Sequence, residues 1–207
     1  MNQFNDLAKD LLTIEAVQIK TDPSDYFTWT SGIKSPIYCD NRVTISYPHV
    51  RRKITNSFVQ IIEELQVKPD VIAGCATAGI PHAAWLADAL QLPLIYIRSK
   101  PKKHGTGSQI EGKIRKNQKV IVIEDLISTG GSSIEAANVL RQNGNEVLQI
   151  LAIFTYGLQR AQINFTKEDF SFTTLLSFDQ LLNTLVDGNE ITPLEKEQLL
   201  QWRNQLA

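Results

Sequence analysis

Residues 119–133 read KVIVIEDLISTGGSS, and the order of residue types in this stretch decides the fold. Lys119 to Ile123 is a short β-branched apolar run, the pattern of a strand buried on both faces of a parallel sheet. It ends in two acids, Glu124 and Asp125. A loop of hydroxyls and glycines then leads into a helical segment from Gly131 to Gln142, which Asn143 and Gly144 stop. Similar pieces lie on either side: an apolar run from Asp70 to Gly74, a helix from Ile80 to Leu90, and further runs at Leu94–Ile97 and Val147–Phe154. Four buried-type strands alternating with helices predict an α/β fold whose mainly parallel sheet is flanked by helices.

Outside this core the signals are more local. Val50, Ile54, Phe58, Ile61, Ile62 and Leu65 recur at three and four residues, which predicts a helix from Pro48 to Leu65. Residues 5–16 read as an amphipathic helix. Tyr26 to Trp29, Gly32 and Ile37 to Cys39 suggest a hairpin closed by Lys34, Ser35 and Pro36. Beyond about residue 165 the order is harder to read, with a strand at Phe172–Leu176 and a helix from Pro193 to Leu206.

The 207 residues, 43% of them hydrophobic, carry 21 basic and 22 acidic side chains for a net charge of −1. That length suggests a single domain spanning 1–207. The charge balance argues against a nucleic-acid partner bound through bulk electrostatics. Two cysteines, Cys39 and Cys75, cannot build a disulfide framework and fit a reducing compartment. Asp6, Asp10 and Glu15 interrupt the first residues, so no secretory signal is read there, and no run of about 18 apolar residues suggests a membrane span. A cytoplasmic location is expected.

Unpaired N–H groups at the start of a helix, together with its dipole, favour an anion, so Ser128 to Ser133 can cradle a phosphate. Glu124 and Asp125 cannot hold that same phosphate. Their carboxylates suit ribose hydroxyls or a magnesium complex, so a sugar phosphate satisfies both halves of the motif. The plainer alternative is a helix capped by Ser128 or Thr129 with the acids solvated. Neither a G-x-x-x-x-G-K-[ST] loop nor a G-x-G-x-x-G turn occurs. Gly74 to Gly79 forms a second small-residue turn after a strand, able to receive a diphosphate on its N–H groups. Arg98 to Lys119 holds eight Lys and Arg residues with Glu111 as the sole acid, interspersed with Gly105, Gly107 and Gly112. That pattern fits a loop with an anionic target, or one that is simply solvated. Cys75 could pair with His82 or His104 in thiol chemistry, but a buried structural cysteine is the simpler reading, and His49 and His82 read as packing or surface residues.

VIVIEDLISTGGSS resembles the phosphoribosyl-diphosphate motif of the type I phosphoribosyltransferases. FTWTSGIKSPIYCDNR at 27–42, GCATAGIPHAAW at 74–85 and YIRSKPKKHGTGSQIEG at 96–112 are similar to the branch of that family whose acceptor base is orotate. The resemblance implies the type I phosphoribosyltransferase fold, with a core of about 46–165 under a smaller hood formed by about 1–45 and parts of the C-terminal segment. It implies a magnesium-dependent transfer between phosphoribosyl diphosphate and orotate, with magnesium held mainly through substrate and water. Lys102, His104 and Asp125 take the catalytic roles. Arg98, Lys102, His104, Glu124, Asp125, Leu126, Ile127, Ser128, Thr129, Gly130, Gly131 and Ser132 bind phosphoribosyl diphosphate. Lys34, Arg42 and Ser128 bind orotate. A homodimer with shared sites is implied, the loop of Arg98, Lys102 and His104 reaching the neighbouring subunit's substrate. Some members carry Lys at the place of Thr30 and Arg near Tyr156 and Gly157, cations this chain lacks at those positions. A purine phosphoribosyltransferase would share 120–133 but lack SGIKSPIY. A regulator sensing phosphoribosyl diphosphate would be expected to add a DNA-binding segment, whereas the last 40 residues carry seven acids and two bases.

Overall fold

Strand β8 (Lys119–Ile127) lies inside a sheet, with strands on both edges and helices on both faces. The structure is a computed structural model that describes residues 3–29, 32–101 and 108–206. Ahead of β8, the chain forms α1 (Gln3–Thr13), β1 (Val17–Ile19), β2 (Phe27–Thr28), β3 (Lys34–Ser35) and β4 (Ile37–Cys39). These are followed by α2 (Pro48–Glu64), β5 (Val71–Cys75), α3 (Gly79–Leu90), β6 (Leu94–Ile97) and β7 (Ile110–Glu111). After β8 come α4 (Gly131–Gln142), β9 (Glu146–Thr155), α5 (Gln159–Lys167), β10 (Phe172–Ser177), α6 (Phe178–Asp187) and α7 (Pro193–Asn204).

Among the described residues the main sheet runs β10-β9-β8-β5-β6-β7, parallel except for β7 at the edge. Alternation along each strand divides the core. Ile121 and Ile123 of β8 face the layer that includes α1, α2, α3 and α6, and Val120 and Val122 face α4 and α5. Both faces of the sheet are therefore dry, as its β-branched composition requires. No helix among the described residues is long and apolar enough to cross a membrane.

The chain crosses in opposite directions from the two central strands: β5 leads through α3 to β6 on one side, and β8 through α4 to β9 on the other. Such a reversal opens a crevice at the carboxyl ends of the strands, because the two helices leave on opposite faces. Gly79 lets α3 start hard against β8, where an added Cβ would lie 2.3 Å from the Ile123 carbonyl oxygen.

Three expectations change. Strand β8 does not stop at Ile123: it continues through both acids, because β9 is long enough to pair with it as far as Ile127↔Thr155. The hairpin has a different partner scheme, with β2 pairing β3 across a turn that contains Gly32 at φ +84°, and β4 pairing β1. Lys34 and Ser35 are thus strand residues and not the turn. Two helices that the sequence does not announce are present: α5, which straddles residue 165, and α6 beyond it, fixed by a capping box between Ser177 and Gln180.

Gly79→Ala is expected to destabilise the protein by about 1–3 kcal/mol, the usual cost of overpacking, since rigid backbone of β8 faces the new methyl. The midpoint of denaturant unfolding measures it, and an unchanged midpoint would show that α3 is not seated on β8 as described.

Candidate active site

Two helices begin at the crevice between β5 and β8, and neither has a side-chain cap. Helix α3 follows the turn 76–78, which contains a cis Ala76–Thr77 peptide, and α4 starts after Gly130 at φ +80°. Gly130 is required there twice over: its backbone is left-handed, and a Cβ would lie 2.4 Å from the Phe165 ring. Ser128 and Thr129 do not cap α4, so the capped-helix alternative fails, and its first-turn N–H groups lack a side-chain acceptor. Ser133, at the start of that helix, instead donates to the Gly130 carbonyl.

The two acids separate in role. Glu124 is buried and turned toward the helix: Oε2 accepts from the Ser132 hydroxyl at 2.9 Å and Oε1 from the Asp125 N–H at 3.1 Å. Burial, then the neighbouring Asp125 charge, pushes its carboxyl up to about 8. Asp125 is half-buried, and its carboxyl is also raised, chiefly by desolvation. Sequence spacing treats the pair as equals, whereas the structure buries Glu124 against Ser132 and leaves Asp125 half-buried beside it, in hydrogen-bond contact with Glu124 and backbone N–H groups.

Arg98, at the end of β6, lines a cleft of about 30 Å³ with Cys75, Ala76 and Ser132 of the same chain, and its guanidinium lies 3.3 Å from Glu111. This brings Arg98 to its own chain's α4 start. Cys75 is buried, and desolvation raises its thiol, which fits the structural reading and not a nucleophile. His82 is buried too, its pKa lowered to about 4 by desolvation. Lys102 and His104 lie outside the described residues.

On the hood, Arg42 is exposed and forks onto Asp40 at 2.6 and 2.7 Å, while Lys34 donates to Thr28 at 2.8 Å. The Arg42 charge is felt at Asp125, lowering it. Among the described residues no group of three or more His, Cys, Asp or Glu forms a metal-binding cluster.

Two contributors were missed by sequence reasoning. Arg203 of α7 brings a cation to the end of β9, donating to the Tyr156 and Gly157 carbonyls at 3.3 and 3.4 Å and to Asp179 at 2.8 Å. Nearby, Trp29, Tyr156 and Trp202 form an aromatic cluster, and Trp202 Nε1 donates to the Lys34 carbonyl. The second is Asn41, whose side chain donates to the Asp125 carbonyl at 2.7 Å. Sequence separations of 46–47 and 84 residues leave no local signal for either contact.

Residues 46–174 match the family model described as a phosphoribosyl transferase domain. The chain is 54% identical over 200 residues to the orotate phosphoribosyltransferase of Oceanobacillus iheyensis, covering 97% of this chain and 98% of that protein. It is 49% identical over 207 residues to that of Fusobacterium nucleatum, covering 100% and 98%. The crystal structure of orotate phosphoribosyltransferase from Aeropyrum pernix superposes with a TM-score of 0.75 at 29% identity, covering 86% of this chain and 97% of that one. With a type I phosphoribosyltransferase fold and relatives of this identity along its whole length, the chain belongs to the phosphoribosyltransferase family, in its orotate phosphoribosyltransferase branch.

Proposed function

We propose that the chain transfers the 5-phosphoribosyl group of phosphoribosyl diphosphate to orotate, giving orotidine 5′-monophosphate and diphosphate on the route to UMP. The observation that carries the site assignment is the uncapped start of α4 directly beyond a strand that presents Asp125. One continuous segment thereby offers N–H donors for a phosphate and a carboxylate for ribose hydroxyls. Leu126, Ile127, Ser128, Thr129, Gly130, Gly131 and Ser132 surround the 5′-phosphate, Asp125 takes the ribose, and Arg98 with the turn after β5 receives the diphosphate. Lys34, Arg42 and Ser128 hold orotate, a planar carboxylate that needs a cation. All of this sits in a single domain whose N-terminal segment and α7 cover the crevice.

In the transfer, the bond from ribose C1 to the diphosphate oxygen loosens with its electron pair leaving on that oxygen, and orotate N1 attacks C1 from the opposite face. No side-chain nucleophile is needed. Asp125 holds the ribose and offsets positive charge on it, and the basic loop with Lys102 and His104 offsets negative charge on the departing diphosphate. Magnesium would be held mainly through substrate and water, with the half-buried Asp125 as the nearby acid, since both Glu124 oxygens already accept hydrogen bonds. When bound it supplies charge neutralisation of the diphosphate.

Glu124 acts as a clamp on Ser132 and keeps its proton near neutral pH. Between its ordinary 4.5 and about 8, the folded chain retains a proton that the unfolded chain has released, so stability falls as pH rises through that window. His82, held neutral, has the opposite slope below 6.5. Melting temperature is therefore expected to decline between about pH 6.5 and 8 in the wild type and to decline less in Glu124→Gln. Equal slopes would remove the buried-clamp reading.

An absorbance assay with magnesium and phosphoribosyl diphosphate should show consumption of orotate, with adenine, hypoxanthine and uracil used far more slowly. Preference for a purine would overturn the base assignment and leave the fold.

A homodimer with shared sites follows if Lys102 and His104 act across the interface, and free thiols at Cys39 and Cys75 support a cytoplasmic setting. Lys102→Ala and Asp125→Asn should each be weak alone, the latter by about 10²–10³ in rate. Refolded together in equal amounts, half of the dimers are mixed and one of the two sites in each is intact, so about a quarter of wild-type activity should return. Activity that stays at the level of the separate variants, with mixed dimers shown to form, would assign the loop to its own subunit.

A further inference from the structure

We infer that Asn41 is a positioning residue for Asp125, holding the acid's main chain from the hood side of the crevice. Strand β5 pairs with β8 only as far as Gly74↔Ile123. Two residues further on, the Asp125 carbonyl takes its hydrogen bond from a side chain, the Asn41 amide at 2.7 Å. Because a carbonyl only accepts, Nδ2 must face it, which fixes the orientation of the amide. The other end of the amide, Oδ1, is then buried without a hydrogen-bond partner. A buried acceptor left unpaired costs stability, so the residue is ill-suited to a purely structural role at this point.

Asn41 is itself held in place. It is 1% exposed and opens the short 3-10 turn Asn41–Ser46, whose Thr44 hydroxyl donates to the Asn41 carbonyl at 2.5 Å. His82 Nε2 of α3 lies 3.3 Å from that same hydroxyl. A buried line of polar groups thus runs from α3 through the hood turn to the backbone of Asp125. A shift of the turn is passed to the main chain of the acid assigned to the ribose, through the Asn41 amide. Its neighbour Arg42, by contrast, stands exposed and paired with Asp40.

The inference rests on the phosphoribosyl-transfer reading, and the two can fail separately. Wild-type turnover of orotate with phosphoribosyl diphosphate is measured first; its absence sinks the reading of function. Asn41→Leu keeps the shape of the side chain without its donor, and Asn41→Ala removes the side chain. In either folded variant, kcat should fall about 10–100-fold, as expected for a reacting group displaced by up to about 1 Å. The KM for phosphoribosyl diphosphate should rise while the KM for orotate stays near its wild-type value. A role confined to the fold of the hood would give the reverse split, raising the KM for orotate. Gln180→Ala, which breaks the capping box of α6 without a hydrogen bond to Asn41 or Asp125, serves as a stability control and should lower the melting temperature while sparing kcat. Wild-type kcat and KM for phosphoribosyl diphosphate in the Asn41 variants, or a change confined to orotate, would overturn the proposal.

Discussion

The pairing of β8 with β9, from Lys119↔Glu146 to Ile127↔Thr155, carries the rest of the molecule. It extends the strand past the edge of its β5 neighbour, so that Glu124 and Asp125 emerge from the sheet on a backbone that is still hydrogen-bonded. A loop at the same place would leave two carboxylates free to turn to solvent. Successive side chains on a strand start toward opposite faces, and here Glu124 is buried against Ser132 while Asp125 is half-buried beside it. The division of labour between Glu124 and Asp125 follows from that geometry.

Close packing sets the second limit. Gly79 brings α3 against the Ile123 carbonyl, and Gly130 passes under the Phe165 ring, so both helix starts are drawn to the same crevice. Uncapped N–H groups at a helix start carry a stability cost where no anion satisfies them. Two later helices behave differently: α6 and α7 are closed by full capping boxes. Their first-turn donors are satisfied by side chains, while the two helices that open on the crevice leave theirs unused by side chains.

The hood depends on contacts between distant parts of the chain. Trp202 ties α7 to Lys34, Arg203 ties it to the end of β9, and Asn41 ties the turn after β4 to Asp125. The N-terminal segment has little sheet of its own, two short two-stranded pieces, and its position over the crevice comes from these polar links and the aromatic packing of Trp29. The position of the hood is therefore linked to the main chain at Asp125.

The parallel core was legible in the amino acids because strands buried on both faces need continuous apolar runs, and β5, β6, β8 and β9 each contain one. The small-residue turn into α4 was legible too, since its hydroxyl and glycine residues are contiguous from Ser128 to Ser133 and their chemistry is local. Strand partners in the hood were not, because segments of two or three residues have no periodicity to distinguish β1 from β2 as the mate of β4. The same limit hid Asn41 and Arg203, whose roles are made by contacts across 84 and about 46 residues of chain. Nor could neighbouring letters in a motif show that Glu124 is buried under Ser132 while Asp125 is not. Residue type and order decide which groups can bind phosphate, ribose or a carboxylate; burial and distance, which exist only once the chain has folded, decide which of them is charged and which way it faces.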